Sequence, residues 1–262
     1  MGENLKKLGG NMKAIVTGAS SGIGYEISKY LSKKGYEIIA VARDEGKLKM
    51  LKKECETNVD IFLVDLSNED EIMKFYDNVK NEKVDILVNN AGFGAFGRFD
   101  EIDFDFQMKM IDVNVKAVHI LTYLFLKDMK KRNQGHILNI GSIAGFMPGP
   151  LMTEYYATKS YVLRMTQGIN KELKKSGNNV HISVCCPGPV KTNFNNVANV
   201  KFNLKSKSSE FVAKKAVDGM FKNKEIICPG ISERLVKVSR KLVSDKILEE
   251  VAYHVQRKKG NI

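Results

Sequence analysis

The chain has 262 residues, of which 43% are hydrophobic and 27% charged, and its formal net charge is +12. This length and composition predict one folded α/β domain with a substantial core, and they exclude intrinsic disorder as the default. Charged residues interrupt every apolar run, which excludes a membrane-spanning helix of about 20 apolar residues. Because the first residues hold no apolar stretch of signal-peptide length, we expect a cytoplasmic protein.

The distribution of charged and metal-binding residue types narrows the function classes further. Positive residues are spread along the chain, with modest concentrations over 201–207 and 234–259. A solvated basic surface is one interpretation and attraction of anionic substrates or lipids is the other, while no nucleic-acid partner is expected. The four cysteines lack C-x-x-C spacing and the four histidines lie far apart, so we predict reduced thiols and no metal site.

Short apolar runs alternate with helical periodicity along most of the chain. The predicted strands cover 13–17, 37–42, 60–64, 84–88, 136–140, 180–185 and 225–228. The predicted helices cover about 21–34, 44–55, 68–79, 104–129 and 154–175, and an amphipathic helix follows at 244–258. Seven strands that alternate with helices predict an α/β fold with a parallel sheet covered on both faces.

The domain organisation that we expect has three parts. Residues 1–11 form an N-terminal extension, 12–230 form the catalytic domain, and 231–262 form a C-terminal amphipathic helical extension packed on the same domain. The amphipathic helix packs either on the body or a sister subunit, or on an anionic membrane surface. Ligands of such sheets bind beyond the carboxyl ends of the strands, so the motifs at those ends matter most.

A glycine-rich turn follows the first predicted strand and opens the first helix. Glycines let the backbone approach a pyrophosphate, and the helix dipole favours negative charge there. A dinucleotide is the expected ligand, although three glycines after a strand could also be a bare structural turn. The predicted contacts are Gly18, Ser20, Ser21, Gly22, Ile23 and Gly24.

Tyr155 and Lys159 lie four residues apart in a predicted helix, so their side chains project from one face. The glycine spacing G-x-x-x-G-x-G and the Y-x-x-x-K pair together resemble the short-chain dehydrogenase/reductase family. The family pattern also matches Ser142, 13 residues before Tyr155, and Asn114 in a helix. The resemblance spans about residues 12–230 and implies a Rossmann-like, doubly wound, seven-stranded fold.

The resemblance implies a catalytic role for each of these four residues. Tyr155 is the acid/base, Ser142 orients the substrate oxygen, Lys159 also bonds the nicotinamide ribose, and Asn114 helps to hold a proton-relay water. A free tyrosine has a pKa of about 10. A lysine ammonium about 4 Å away favours the phenolate by roughly 4 kcal/mol at an effective dielectric near 20, so we expect Lys159 to lower the pKa of Tyr155 toward neutrality.

The residue after the second strand decides between the two nicotinamide cofactors. The position at which NAD enzymes of the family carry an acid is Ala42, and Arg43 follows it. A guanidinium suits a 2′-phosphate, so we expect NADP(H), with NAD(H) the less favoured cofactor. In the alternative interpretation Arg43 only caps the strand and Asp44 folds back to the ribose.

Three further motifs complete the cofactor site that the resemblance implies. Asp65 contacts the adenine or, alternatively, caps the following helix. The predicted contacts after the third, fourth and sixth strands are Asp65, Leu66, Asn90, Ala91, Gly92, Pro187, Gly188, Val190 and Thr192. Thr192 is the candidate hydrogen-bonding residue for the nicotinamide amide.

The implied function is reversible reduction of a small-molecule carbonyl to an alcohol, by a homodimer or homotetramer. A catalytically silent NADP(H)-binding sensor or scaffold is the competing hypothesis. Residues 193–207 have the composition of a mobile lid over the substrate. Tyr156 is interpreted as packing or substrate-wall material. An apolar substrate pocket and the core are equally favoured locations for Phe93, Phe96, Phe146, Met147 and Met152.

Overall fold

A computed structural model describes residues 12–192, 206–239 and 243–260. The predicted N-terminal extension and nearly all of the predicted lid lie outside these described residues. The remaining parts of the prediction can be compared with the structure element by element.

The described chain alternates strands and helices from its first residues. The strands are β1 (Lys13–Thr17), β2 (Glu37–Ala42), β3 (Val59–Leu63), β4 (Val84–Asn89), β5 (Gly135–Ile140), β6 (Val180–Cys185), β7 (Val190–Lys191), β8 (Lys207–Ser208) and β9 (Ile226–Ile227). The helices are α1 (Gly22–Lys33), α2 (Glu45–Glu54), α3 (Glu69–Val79), α4 (Phe104–Ile111), α5 (Val118–Arg132), α6 (Thr153–Lys175), α7 (Ser209–Phe221), α8 (Ile231–Ser239) and α9 (Asp245–Gly260).

Seven of the strands form one parallel sheet in the order β3-β2-β1-β4-β5-β6-β9, and β7 pairs separately with β8. This confirms the Rossmann-like, doubly wound prediction. The strand order reverses between β1 and β4, which are paired neighbours. The helices that connect the strands on one side of this point cover one face of the sheet, and those on the other side cover the opposite face. A crevice therefore opens beyond the carboxyl ends of β1 and β4.

Both faces of the sheet are buried because successive side chains of a strand point in opposite directions. Ala14 and Val16 of β1 pack in one apolar cluster with α1, α2 and α7, whereas Ile15 packs in a second cluster with α3 and α5. All three residues are fully buried. Nearly continuous apolar strands are what a sheet with helices on both sides requires.

The helix predicted over 104–129 is interrupted in the structure. A π-helical turn, Asp112–Ala117, separates α4 from α5. A π-helical turn widens the backbone and redirects the side chains that it carries, and the wider turn occurs often at functional sites. Apolar periodicity over a long window does not detect one inserted residue, so the sequence predicted a continuous helix here.

In its described residues the C-terminal extension contains two helices, of which α8 was not predicted. On α9 the predicted apolar stripe divides into two parts: Leu248 and Ala252 are buried, whereas Ile247 and Val251 are more than half exposed. Only the first part packs on the body of the protein. Within the described ranges, no helix combines the length and the apolar character needed to cross a bilayer.

Candidate active site

The glycine-rich turn adopts the conformation that its composition predicts. Gly18 and Gly22 have φ angles of +64° and +58°, in the left-handed region that side chains disfavour. A Cβ on Gly24 would lie 2.3 Å from the Asn90 amide nitrogen and 2.4 Å from the Gly18 carbonyl oxygen. The three glycines therefore allow a backbone path that other residues would obstruct.

The same turn is held against the end of β4 by hydrogen bonds. The Asn90 amide donates to the carbonyl oxygens of Thr17 (2.9 Å) and Gly18 (3.2 Å). In return, the backbone N–H groups of Asn90 and Ala91 donate to the Thr17 hydroxyl at 2.9 and 3.1 Å. The N-terminus of the twelve-residue helix α1 is thus fixed at the switch point of the sheet.

This turn fits a phosphate group. Ser21 is the N-cap of α1, and among the described residues its side chain makes no capping bond to the helix amides. The first amides of a helix and its dipole together attract negative charge. Ser21 is exposed and Ser20 half-buried, so both hydroxyls can reach a ligand. The Ile23 side chain packs against the core and leaves only its backbone for such a contact.

At the other end of the crevice, two cations approach one carboxylate. Arg43 follows β2, and its Nη1 lies 3.8 Å from Asp65 Oδ2, while Lys109 Nζ of α4 lies 3.7 Å from the same oxygen. Asp44 is engaged elsewhere: it caps α2 by accepting from Lys47 N at 3.0 Å, and it forms an ion pair with the Lys47 side chain. Arg43 and Lys109 together carry two positive charges and Asp65 carries one negative charge, so this group has a net charge of +1.

The suggestion that Asp65 caps the next helix is wrong. Asn68 caps α3 and accepts from the backbone N–H groups of Asp70 and Glu71. Asp65 Oδ1 instead accepts from the Ser67 backbone N–H at 3.0 Å and the Ser67 hydroxyl at 2.7 Å. Burial acts to raise the pKa of Asp65, but these bonds and the two cations lower it overall. The Leu66 side chain lies in the core.

The catalytic candidates meet where α6 passes the end of β5. The Ser142 hydroxyl hydrogen-bonds Tyr155. Ser142 Oγ also accepts from Ala144 N at 3.1 Å, which fixes the hydroxyl two residues after the end of β5. Lys159 Nζ lies 5.8 Å from the centre of the Tyr155 ring and donates to the Ile140 carbonyl at 3.1 Å. The structure thus brings all three predicted residues together.

Desolvation controls the protonation of this group in the chain alone. Burial raises the pKa of Tyr155 to about 12, and the hydrogen bond from Ser142 opposes that rise. Burial lowers the pKa of Lys159 to about 8. The expectation that Lys159 brings the pKa of Tyr155 toward neutrality is therefore wrong for the protein by itself, because the cost of burying a phenolate is larger.

Asn114 is placed by the π-helical turn, where it is fully buried. Its carboxamide accepts from Phe93 N at 3.1 Å and donates to Phe93 O at 2.8 Å and Thr158 Oγ1 at 3.1 Å. A Cβ on Gly92 would lie 2.8 Å from Asn114 Oδ1 and 3.3 Å from Lys159 Nζ. Gly92 therefore separates these two polar groups, and only a hydrogen atom fits there.

The segment after β6 runs between the catalytic turn and the glycine-rich turn. The Pro187 carbonyl accepts from Ile143 N at 3.0 Å, one residue beyond Ser142. Val190 packs against the core. A Cβ on Gly22 would lie 2.9 Å from Thr192 Cγ2, so Thr192 is in contact range of the glycine-rich turn. Pro187 thus contacts the catalytic turn and Thr192 the glycine-rich turn, whereas the Gly188 N–H donates to Glu233.

Tyr156 lies next to Tyr155, with the two ring centroids 6.2 Å apart, but its hydroxyl bonds the C-terminal extension. Its hydroxyl accepts from Gln256 Nε2 of α9 at 2.6 Å, and the ring lies against Gly149. It also borders a groove of about 360 Å³ on the outer side of α6, lined with Thr153, Ala157 and Arg164. Tyr156 therefore joins the C-terminal extension to the body, in agreement with the packing interpretation.

The predicted apolar pocket residues divide between buried and half-buried positions. Phe146 packs in a cluster with Val162 and Leu163, and Met152 is also buried. Phe93 and Phe96 are only half-buried, and the Phe93 ring contacts Phe106 edge to face at 5.1 Å. Met147 is half-buried too. The core interpretation therefore holds for Phe146 and Met152.

Several residues that shape the site were missed by sequence reasoning. Thr17 ends β1 directly before Gly18, so its position at the carboxyl edge was available as a signal. Thr158 lies inside the Y-x-x-x-K motif and bonds both Asn114 and the Tyr155 carbonyl. No sequence signal placed Lys109 beside Asp65 or Glu233 beside Gly188, because both contacts cross elements distant in the chain.

Known proteins share both the sequence pattern and the fold of this chain. The family model described as short chain dehydrogenase matches residues 12–201. An uncharacterized oxidoreductase of Staphylococcus saprophyticus is 37% identical over 185 residues, which is 68% of this chain and 78% of that protein. Dehydrogenase/reductase SDR family member 11 of Gallus gallus is 35% identical, over 69% of this chain and 75% of its own length.

A solved structure shows the same architecture. It is a short-chain dehydrogenase from Sphingobium yanoikuyae in complex with NADPH, with 26% sequence identity and a TM-score of 0.79, over 89% of this chain and 96% of that one. The seven-stranded sheet, the switch point and the grouped Ser142, Tyr155 and Lys159 agree with that similarity. The chain therefore belongs to the short-chain dehydrogenase family, and it is an oxidoreductase of the kind that acts on alcohol and carbonyl groups.

Proposed function

We propose that this protein is an NADP(H)-dependent oxidoreductase that reversibly reduces a carbonyl to an alcohol, with Tyr155 as general acid/base. The observation that carries the proposal is the grouping of Tyr155, Ser142 and buried Lys159 beside a glycine-rich turn that fits a phosphate. A binding module without catalysis would not require a proton donor and a buried amine at this position.

Each side chain of the candidate site has a separate role in the proposed reaction. When bound, the cofactor supplies the hydride that the substrate carbon accepts during reduction. The raised pKa of Tyr155 keeps its phenol protonated at neutral pH, so that it can donate a proton to the substrate oxygen. Ser142 positions that oxygen and stabilises the charge that develops on it. Once the phenol has given up its proton, the Lys159 ammonium donates a proton to the Tyr155 phenolate, and the resulting Lys159 amine takes up a proton from solvent.

The preference for NADP(H) rests on the charges at the adenosine end. Arg43 and Lys109 supply two cations against the single carboxylate of Asp65. Asp44, the acid that would favour an unmodified ribose, is committed to capping α2 and pairing with Lys47. A 2′-phosphate would satisfy the excess positive charge through charge-assisted hydrogen bonds.

A panel of aldehydes and ketones, assayed by the loss of NADPH absorbance, tests the reaction. We expect turnover with NADPH at a lower KM than with NADH. Arg43→Ala should raise the KM for NADPH about ten-fold and leave that for NADH nearly unchanged. Lys49→Ala, which removes an exposed cation paired with Glu45 on α2, is the matched control. An unchanged preference in Arg43→Ala would refute the NADP(H) assignment.

We also propose that the protein acts as a homodimer or homotetramer. Tyr123 of α5 is 60% exposed and Tyr161 of α6 is 38% exposed, and a 2.7 Å hydrogen bond joins Tyr161 to His119 across the two helices. Such an aromatic face is suited to a second copy of the chain. Light scattering with Tyr123→Glu as the disrupting variant tests this, and a monomeric wild type would contradict it.

A further inference from the structure

One carboxylate of the C-terminal extension bonds the loop that follows β6. Glu233 lies in the first turn of α8, and its side chain is only 1% exposed. Its Oε1 accepts from the Gly188 backbone N–H at 3.1 Å and forms an ion pair with Lys207. Its Oε2 accepts from the Ser232 hydroxyl at 2.8 Å. We call the three residues Glu233, Gly188 and Lys207 the carboxylate clasp.

The clasp joins three segments that are separate in the chain. Gly188 belongs to the loop that follows β6, and Lys207 opens β8, which pairs with β7 of the same loop through Val190 and Lys207. The Lys207 N–H also donates to the Pro189 carbonyl at 3.1 Å. The carboxylate therefore holds Gly188 by a backbone bond and secures the strand that pairs with the loop.

The loop held in this way has both ends in the candidate active site. Pro187 bonds the backbone next to Ser142, and Thr192 lies against Gly22 of the phosphate turn. On the other side, α8 packs against the turn after Ser142, where Val236 joins the cluster of Phe146 and Ile143. A movement of the clasp would therefore shift the loop relative to both the catalytic serine and the glycine-rich turn.

The clasp is closely packed, so it has little freedom to rearrange. A Cβ on Gly188 would lie 3.0 Å from Glu233 Oε1, and one on Gly230 would lie 2.6 Å from Glu233 Oε2. Burial acts to raise the pKa of Glu233, but the bonds from Lys207, Ser232 and Gly188 lower it overall, so the carboxylate is charged at neutral pH. A buried charge that loses one partner is strongly destabilised.

We propose that Glu233 is a positioning residue for the cofactor: through Gly188 and Lys207 it fixes the 187–192 loop where the nicotinamide half of NADP(H) binds. This inference rests on the proposed function, since it assumes that the crevice binds that cofactor. It assigns to the C-terminal extension a role in cofactor geometry in addition to packing.

The decisive measurement compares two ligands on Glu233→Gln. The variant keeps the size of the side chain and an acceptor for Gly188, but it loses the charge that pairs with Lys207. We expect the Kd of NADPH to rise about ten-fold, and the Kd of the adenosine bisphosphate fragment of NADPH to stay within about two-fold of wild type. If Glu233 had only a structural role, the variant would contain less folded protein, and the apparent affinities for NADPH and for the fragment would fall by the same factor.

Glu82→Gln is the matched control, because it breaks the 2.5 Å ion pair with Lys13 beside the opposite, amino edge of the sheet. It should leave both Kd values unchanged. Lys207→Gln, at a less buried member of the clasp, is a second variant that can be used if Glu233→Gln fails to fold. It should weaken NADPH about three-fold and leave the fragment unaffected.

The outcomes separate this inference from the proposed function. If the wild type binds NADPH and both Glu233→Gln and Lys207→Gln bind it with the same Kd, the clasp does not position the loop. The same conclusion follows if both variants raise the Kd of the fragment as much as that of NADPH. If wild type binds neither NADPH nor the fragment, the proposed function fails and this inference fails with it. Selective loss of NADPH in the variants supports both.

Discussion

The two ends of the candidate site operate under opposite electrostatic conditions. At the adenosine end the side chain of Arg43 is 66% exposed and that of Lys109 is 45% exposed. At the catalytic end Lys159 is only 6% exposed, and its burial lowers its pKa to about 8. The cationic side chains at the adenosine end are therefore solvated, whereas the Lys159 amine at the catalytic end is desolvated.

This difference matches the chemistry that each end would perform. Solvated cations attract an anion at little desolvation cost, but water and salt weaken each interaction. A desolvated phenol and amine change their protonation with small changes in their surroundings, which is what proton transfer requires. Under the proposed function, the exposed end would recognise the cofactor phosphate and the buried end would carry out the acid/base chemistry.

Removing the phenol of Tyr155 should have the largest effect. Tyr155→Phe is expected to reduce kcat for carbonyl reduction at least about 1,000-fold, because it removes the hydroxyl group that we expect to donate a proton to the substrate oxygen. The Kd of NADPH should stay within a few-fold of wild type. Tyr156→Phe, whose lost hydroxyl bonds Gln256 outside the crevice, is the control and should retain nearly full turnover. Substantial turnover by Tyr155→Phe would exclude it as the acid/base.

A methyl group at Gly92 should disturb the catalytic end with a smaller effect. In Gly92→Ala the added carbon meets Asn114 Oδ1 and Lys159 Nζ, and its neighbours must move. We expect kcat to fall about 10- to 100-fold, as for catalytic groups displaced by a fraction of an ångström. Gly168→Ala in α6, where a Cβ meets nothing, should retain kcat and gain up to about 1 kcal/mol of stability. Equal activity in the two variants would contradict the close packing.

The pH dependence should distinguish the two directions of the reaction. Because the pKa of Tyr155 is raised to about 12, the phenol needed for reduction is present at neutral pH, and the phenolate needed for oxidation is scarce. We expect kcat/KM for alcohol oxidation to rise by up to about ten-fold per pH unit above neutrality, while that for reduction stays level or falls. Rate profiles in both directions, at saturating cofactor, measure this. A flat oxidation profile would show that Tyr155 does not set the rate.

Salt should give the smallest effect, and at the exposed end only. The screening length falls from about 10 Å at 0.1 M to about 3 Å at 1 M, so added salt weakens solvated cations. We expect the Kd of NADPH to rise a few-fold over this range, and the difference between wild type and Arg43→Ala to shrink. The kcat at saturating NADPH should change little. A salt-independent Kd would mean that Arg43 and Lys109 do not contact the phosphate.

Much of the fold was predictable because it depends on local patterns. The alternation of apolar runs with helical periodicity identified every strand of the main sheet, with boundaries that differ by at most one residue. The glycine spacing predicted the turn between β1 and α1, and the Tyr155–Lys159 pair predicted a helix that the structure has as α6. These features are encoded within short windows, where sequence reasoning is effective.

Other features depend on contacts between distant windows. The π-helical turn that buries Asn114 was not predicted, and neither was α8. The sequence left open whether Asp44 folds back to the ribose, and only the structure shows that Asp44 caps α2 by accepting from Lys47 N. The direction of the pKa shift at Tyr155 also depended on burial, which no local pattern measures.

The sequence alone determined which chemical groups the protein carries at its strand ends, because periodicity and motif spacing fix the strands and the register of their last residues. Only the tertiary structure decided which of these groups are desolvated and which form hydrogen bonds or ion pairs within the protein. It also decided that Glu233 contacts Gly188 and Lys207. The physical reason is that solvation and pairing are properties of the space between elements, and that space is created when the chain packs.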